Sequence, residues 1–137
     1  MSAGYSGTPL SRKLGIKEGH VVAAVGAPAH FRALLDPLPR GVTVRSGLRG
    51  TGAFDVLVVF ARRRRELLER FARARVRMVP AAGLWVCWPK GTSRLASEIG
   101  EADVRAHGLS AGLVDNKVCA VDEDWSGLRF MVRLRDR

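Results

Sequence analysis

The sequence of 137 residues predicts an α/β fold with an open, mostly parallel β-sheet in a single domain, 1–137. Short apolar runs alternate along the chain with segments of helical periodicity, which is the pattern of such folds. The runs are continuously apolar, as expected for strands that are covered on both faces. The last run instead alternates apolar and polar residues, which indicates an antiparallel strand with one less covered face.

Proline and glycine delimit the elements of the first half. Thr8 and Pro9 are typical of a helix start, because the hydroxyl can accept a backbone N–H and proline has none to satisfy. Gly15 is typical of a helix end, and Pro37 stops a second helix. The predicted order is a flexible segment at 1–7, a helix at 9–14, a strand at 21–25, a helix at 28–36, a strand at 42–45 and a glycine-rich loop at 46–53.

The second half contains the helix with the clearest periodicity and a final hairpin. Asp115, Asn116 and Lys117 are read as turn and capping residues before a strand. In the last strand Leu128 and Leu134 are placed on one face with the apolar residues between them. The predicted order is a strand at 56–60, a helix at 62–78, a strand at 84–88, an unassigned segment at 91–100, a helix at 101–111 and strands at 118–122 and 128–134.

The final hairpin determines the predicted strand order. A parallel core followed by an antiparallel hairpin is the ending of class I methyltransferase-like Rossmann folds, and that analogy gives the order 2-1-3-4-6-5. Only the loop 46–53 joins strands 2 and 3, whereas a parallel crossover normally needs a dozen or more residues. Fully extended, this loop spans roughly 27 Å. We therefore expect either a bare crossover or a different pairing of strand 2.

The charge, the apolar runs, the cysteines and the histidines indicate which partners, compartment and metal sites to expect. The net charge is +10 and most basic residues are arginine, which suits anionic partners, although a coding bias would also produce this excess. No apolar stretch approaches the ~20 residues that span a bilayer, so we expect a cytoplasmic protein without a membrane partner. Cys87 and Cys119 lie in apolar runs and are expected to be reduced core residues. His20, His30 and His107 are scattered and predict no metal site.

The predicted ligand site lies where the strand order reverses, beyond the carboxyl ends of strands 21–25 and 56–60. A dinucleotide or adenosyl cofactor requires a glycine-rich first turn, but here a single glycine, Gly26, is followed by Pro28. An acidic residue is expected to end the second strand and hold ribose hydroxyls, yet Arg45 stands there. Both departures argue against S-adenosylmethionine or NAD, and no cofactor is predicted.

Basic and aromatic residues near these strand ends are the candidates for binding an anion. The run 62–65 of four arginines could clamp a phosphate, or it could form a solvated helix face paired with Glu66 and Glu69. The acidic run 122–124 is read as a solvated loop, and no catalytic constellation can be assembled. The candidate ligand-binding residues are Gly26, Pro28, Arg45, Arg62, Arg63, Trp88, Lys90 and Trp125.

Five blocks of the sequence carry a resemblance: YSGTPL at 5–10, KLGI at 13–16, WPK at 88–90, GLVDNKVCAVD at 112–122 and WSGLRF at 125–130. Together they resemble a small bacterial family known only as a domain of unknown function, DUF 3052. The resemblance implies a stand-alone cytoplasmic protein of this size and transfers no activity.

Three functions follow as expectations. The first is a non-catalytic binding protein for an anionic ligand or phosphate-bearing partner at the strand-end crevice. The second is a shortened or degenerate enzyme resembling S-adenosylmethionine-dependent methyltransferases. The third is a nucleic-acid-binding protein that uses the arginine-rich helix at 62–77. The sequence predicts no oligomeric state.

Overall fold

The computed structural model describes residues 7–137, so the predicted flexible segment lies outside the described residues except for Gly7. The described chain contains helices, strands and one short 3-10 helix. They are α1 (Leu10–Lys13), β1 (Val21–Val25), α2 (Phe31–Leu34), β2 (Thr43–Ser46), β3 (Phe54–Phe60), α3 (Arg64–Arg75), β4 (Met78–Pro89), α4 (Glu101–Ser110), β5 (Leu113–Ala120), β6 (Trp125–Val132) and the 3-10 helix Leu134–Asp136.

The six strands form one sheet in the order β2-β1-β3-β4-β6-β5, which confirms the predicted fold class and strand order. Strand β1 pairs in parallel with both β2 and β3, and β3 pairs in parallel with β4. Strand β6 is antiparallel to both β4 and β5. The carboxyl ends of β1, β2, β3 and β4 therefore meet at one edge of the sheet. The strand order reverses between β1 and β3 at this edge.

The link between β2 and β3 is a bare crossover, one of the two expected alternatives. Arg77, just after α3, binds this loop through its guanidinium group. Its Nη1 donates to the Leu48 carbonyl oxygen at 2.6 Å, its Nε donates to the Gly52 carbonyl oxygen, and its guanidinium carbon lies 5.2 Å from the centre of the Phe54 ring. Side-chain hydrogen bonds thus replace the helix that usually covers such a crossover.

Helices cover both faces of the sheet, as the continuously apolar strands require. The largest fully buried side chain is Trp85 on β4, whose indole Nε1 donates to the Leu14 carbonyl oxygen at 3.0 Å. This bond fastens the end of α1 to the middle of the sheet. Buried apolar side chains of the helices and of the residues just after them divide into two groups, with Leu67, Phe71, Ala74 and Val104 on the α3 and α4 face and Leu14, Ile16, Phe31 and Leu35 on the α1 and α2 face.

Two helix predictions were too long. Residues 28–30 form a turn in which the Phe31 N–H reaches the Pro28 carbonyl oxygen at 3.0 Å, so α2 begins at Phe31 rather than at 28. Pro37 restricts the residue before it to extended conformations, which ends this helix early. Helix α3 spans Arg64–Arg75 instead of 62–78, because Arg63 has extended backbone angles, φ −121° and ψ 150°, and Met78 is already the first residue of β4.

Four strand predictions placed the strand starts too late, those of β3 and β6 by two and three residues and those of β4 and β5 by six and five. Strand β4 begins at Met78, which pairs with Phe54, and an irregularity in the register accommodates the segment around Pro80. Strand β5 begins at Leu113, so Asp115, Asn116 and Lys117 lie within the strand at a bulge and are not turn residues. Leu134 lies in the 3-10 helix and is 81% exposed, so its expected place on the apolar face of β6 was wrong.

In residues 7–137, no helix has both the length and the apolar character needed to cross a bilayer.

Candidate ligand-binding site

Two cavities flank the turn after β1 at the carboxyl edge of the sheet. The first, between β1 and β2, has a volume of about 330 Å³ and is called the β1–β2 cavity. The second, between β1 and β3, has a volume of about 360 Å³ and is called the β1–β3 cavity. Pro28 lines both of them. The predicted crevice is thus divided by the first turn instead of opening over it.

The β1–β2 cavity combines an apolar wall with two arginines. Arg45 and Arg32 are both exposed, and Arg32 forms a solvent-exposed ion pair with Asp36 at 3.3 Å. Such a pair contributes little and is easily exchanged for a ligand. No carboxylate is among the residues that line this cavity, which are Ala24, Ala27, Pro28, Ala29, Phe31, Arg32, Val44, Arg45 and Ser46.

The β1–β3 cavity has both signs of charge. Arg62, Arg70, Glu66 and Asp124 line it together with His30. The remaining lining residues are Gly26, Pro28, Ala61, Leu95 and Trp125. The charges of its two arginines and two carboxylates cancel, so this cavity is not a simple anion site.

Arg70 occupies the place above the single glycine of the first turn. Gly26 has a φ of +67°, and a Cβ built on it would overlap Nη1 of Arg70. The guanidinium is held there by two acceptors: Nη1 donates to the Phe60 carbonyl oxygen at 2.6 Å, and Nη2 donates to Glu66 at 3.2 Å. The free space that this glycine provides is therefore filled by the protein's own cation.

Carboxylates also accept hydrogen bonds from the backbone N–H groups at the start of α3. Oε1 of Glu66 accepts the backbone N–H groups of Arg62 at 2.9 Å and Arg63 at 3.2 Å. Hydrogen bonds from these amides and the attraction of Arg70 lower the pKa of Glu66. Oε1 of Glu98 accepts the N–H of Arg64 at 3.1 Å. A phosphate at this helix end would have to displace two carboxylates, so the arginine run is not poised to bind one through its backbone.

A histidine and a buried aspartate meet at the mouth of the β1–β3 cavity. Nε2 of His30 lies 2.7 Å from Oδ2 of Asp122, which is 7% exposed. The other oxygen, Oδ1, accepts the backbone N–H groups of Asp124 at 2.8 Å and Trp125 at 2.9 Å. Asp122 is therefore a structured carboxylate, and the expectation of a wholly solvated acidic loop was wrong for this residue.

The remaining predicted residues lie in different environments. Arg63 and Arg62 line a separate cavity of about 320 Å³ with residues 96–98. Trp88 is only 5% exposed and packs in the core on the α3 and α4 face. Lys90 follows β4, where its backbone N–H donates to the Asp124 carbonyl oxygen at 2.7 Å. Trp125 is buried and packs edge-on against the Phe60 ring, with 5.0 Å between ring centres. Four of the eight candidates therefore line the β1–β3 cavity, namely Gly26, Pro28, Arg62 and Trp125, whereas Arg45 lines the β1–β2 cavity and the other three line neither.

Sequence reasoning placed Asp122 near the strand ends but read it as part of a solvated loop, and it did not single out His30 or Arg70 as site residues. His30 and Asp122 are 92 residues apart, so their contact depends on the strand order and has no local signal. Arg70 is one arginine among many on its helix. Its spacing of four residues from Glu66 predicts the pair, but gives no sign that the guanidinium reaches Gly26.

The two thiols and the remaining acidic groups form no additional site. Burial raises the pKa of Cys119 to about 11, and raises that of Cys87 as well, so both thiols are protonated at neutral pH. Within 7–137, no three side chains of His, Cys, Asp or Glu are grouped so as to hold a metal ion.

Comparisons with known proteins define the fold class. No family model matches the chain, so the resemblance to DUF 3052 is not confirmed, and no curated protein sequence matches it either. Solved structures do match. N-methyltransferase NodS from Bradyrhizobium japonicum WM9 has a TM-score of 0.60 at 16% identity, covering 88% of this chain and 90% of that chain. The NodS complex with S-adenosyl-l-homocysteine has a TM-score of 0.54 at 15% identity, covering 88% and 82% of the two chains. A SAM-dependent methyltransferase from Aquifex aeolicus has a TM-score of 0.50 at 16% identity, covering 89% and 87%.

These similarities establish a methyltransferase-like Rossmann fold. They do not establish a reaction, because the identities are low and folds of this kind carry many functions.

An adenosyl cofactor does not fit the residues at the first turn. The space above Gly26 is filled by the Arg70 guanidinium, whereas a cofactor of this fold class needs a close approach to that backbone. Pro28 has no N–H to offer. Arg45 stands where a carboxylate would hold ribose hydroxyls.

Proposed function

We propose that the protein binds a phosphate-bearing small molecule in the β1–β2 cavity, with Arg45 and Arg32 as the residues that hold the phosphate. The observation that carries the proposal is the pair of exposed arginines in a cavity without a lining carboxylate. Arginine at the end of the second strand is also the residue type that accommodates a phosphate in dinucleotide-binding folds. Its planar guanidinium offers two parallel N–H donors to phosphate oxygens.

The apolar wall of the same cavity supports a ligand with a hydrophobic body. Ala24 and Ala27 leave space, while Phe31 and Val44 supply apolar surface. A cavity of about 330 Å³ is within the range of small-molecule sites. The two arginines would orient the anionic end, and the apolar wall would exclude water from the remainder.

The substitution Arg45→Gln is expected to weaken binding of inorganic pyrophosphate by about tenfold or more, because a hydrogen bond to a charged group contributes about 1.5–3 kcal/mol. Isothermal titration calorimetry with the wild type and the variant measures this change. Arg135→Gln is the matched control, since Arg135 is on the 3-10 helix and its side chain is 77% exposed. Equal pyrophosphate affinities for the wild type and Arg45→Gln would contradict the proposed site.

A second candidate function is that of a shortened methyltransferase-like enzyme. The fold similarity to SAM-dependent methyltransferases favours it, and the residues around the first turn oppose it. Calorimetric titration with S-adenosylmethionine distinguishes the two candidates. Saturable binding that survives Arg45→Gln would favour the enzyme, while the absence of heat at millimolar cofactor would exclude it.

Nucleic acid is a third candidate partner, and the exposed arginines around α3 favour it. Arg63, Arg65 and Arg73 are exposed, whereas Arg70 and Arg77 are engaged in internal hydrogen bonds. Exchange of the three exposed arginines for glutamine should reduce the salt dependence of DNA binding, by up to about 0.9 log–log units for each phosphate that the variant no longer neutralises. An unchanged slope would exclude this helix as the interface.

A further inference from the structure

We propose that His30 is a proton-accepting group in the β1–β3 cavity and that Asp122 positions it. It acts on an O–H or N–H group of a small molecule bound in the β1–β3 cavity, which His30 lines. The inference goes beyond the proposed function, since it assigns acid–base chemistry to a second cavity. The proton passes from the bound group to Nδ1 of His30, and the bound group keeps the electron pair.

The geometry of Asp122 fixes which ring nitrogen accepts the proton. Its Oδ1 is held by two backbone N–H groups, so the carboxylate cannot rotate away from the ring. Its Oδ2, 2.7 Å from Nε2 of His30, can only accept a hydrogen bond while the carboxylate is ionised. Nε2 must therefore carry the hydrogen, and the lone pair of the neutral ring is on Nδ1.

This arrangement supplies the two requirements of a general base. A carboxylate that accepts the ring N–H orients the imidazole and stabilises the imidazolium that forms when the ring takes a proton. The ring must also remain accessible, and the His30 side chain is 55% exposed whereas that of Asp122 is 10% exposed. The charges that face the ring across the cavity belong to Arg62, Arg70, Glu66 and Asp124. Their balance keeps the cavity close to neutral.

The other two histidines lack this arrangement. Nδ1 of His20 accepts the backbone N–H of Lys17 at 3.1 Å, which occupies its lone pair. His107 packs edge-on against the Phe71 ring, with 4.8 Å between ring centres, and burial lowers its pKa. The chain therefore contains two internal controls for the reactivity of His30.

Diethyl pyrocarbonate tests the inference with the intact protein, because it acylates the lone-pair nitrogen of a neutral imidazole. The ring nitrogen attacks a carbonyl carbon of the reagent and ethyl carbonate leaves, giving a carbethoxylated histidine. Peptide mass spectrometry at pH 8 follows the three histidines separately. We expect His30 to react several times faster than His20 and His107. The substitution Asp122→Asn should slow His30 alone, because the Asn amide donates to Nε2 and moves the ring hydrogen to Nδ1.

Nitrogen-15 correlation spectra of the wild type provide a second readout that needs no variant. We expect the Nε2–H tautomer for His30, and the Nδ1–H tautomer would overturn the inference. Equal acylation rates for the three histidines would overturn it as well. So would a His30 rate that Asp122→Asn leaves unchanged while His20 and His107 react as in the wild type. Failure of pyrophosphate to bind in calorimetry would instead overturn the proposed function and would not alter these rates.

Discussion

Replacement of Trp85 by alanine is expected to destabilise the protein by about 3–5 kcal/mol, the range for removing a large buried aromatic side chain. Trp85 is fully buried in the core between β4 and the α1 and α2 face. The backbone around it is shaped to hold the indole, because a Cβ on Gly127 would lie 3.2 Å from its Cε3 atom. Its hydrogen bond to the Leu14 carbonyl oxygen also joins α1 to the sheet.

The variant Trp85→Phe separates these two contributions. It keeps most of the apolar volume but removes the indole N–H, so the Leu14 carbonyl loses this donor. A loss of about 1–3 kcal/mol is expected from a buried acceptor without its partner. Urea denaturation followed by circular dichroism measures both variants. A decrease of less than about 1 kcal/mol for Trp85→Ala, well below the usual cost of such a truncation, would show that α1 is not anchored as the structure describes.

The substitution Gly26→Ala is expected to cost about 3 kcal/mol or more of stability, from two effects that add. The left-handed conformation of this residue penalises a side chain by about 1–2 kcal/mol. The new Cβ also displaces the Arg70 guanidinium from the Phe60 carbonyl oxygen. Hydrogen bonds of this charged kind contribute about 1.5–3 kcal/mol.

A double-mutant cycle isolates the contact between the two residues. In an Arg70→Ala background, Gly26→Ala should cost only the conformational penalty and the crowding of the Phe60 carbonyl oxygen, 3.2 Å from the new Cβ. The two changes should therefore couple by about 1.5 kcal/mol or more. Gly47→Ala is the matched control: its φ of +86° carries the same penalty, and nothing lies within 4 Å of a Cβ there. Strict additivity of Gly26→Ala and Arg70→Ala would contradict the position of the guanidinium above the first turn.

Much of the fold is encoded locally, which is why it can be predicted. A continuous apolar run such as Val21–Val25 indicates a strand that is buried on both faces. The alternation in β6 indicates a strand with one less covered face. Element boundaries are less predictable, because pairing with a neighbour overrides local signals. Met78 joins β4 through its partner Phe54, and Asp115 joins β5 through Phe130, despite the proline and polar residues nearby.

The sequence predicts which edge of the sheet the candidate residues share, but not the contacts that the side chains make there. Strand order alone places Gly26, Arg45 and Arg62 at one edge of the sheet. The contacts at this edge depend on long side chains and on residues that are distant in the sequence. Arg70 fills the first turn from α3, and Asp122 reaches His30 from the loop before β6. Neither contact follows from residue spacing, since each requires the three-dimensional position of a flexible side chain.

We propose that the protein binds a phosphate-bearing anion at Arg45 and has no room for an adenosyl cofactor above Gly26. It should therefore bind one of two test ligands and not the other. Calorimetric titration of one preparation with inorganic pyrophosphate and, separately, with S-adenosyl-l-homocysteine measures this selectivity. We expect saturable pyrophosphate binding that Arg45→Gln weakens, and no binding of S-adenosyl-l-homocysteine. Tight binding of S-adenosyl-l-homocysteine together with no response to pyrophosphate would contradict both the proposed ligand class and the occupied first turn.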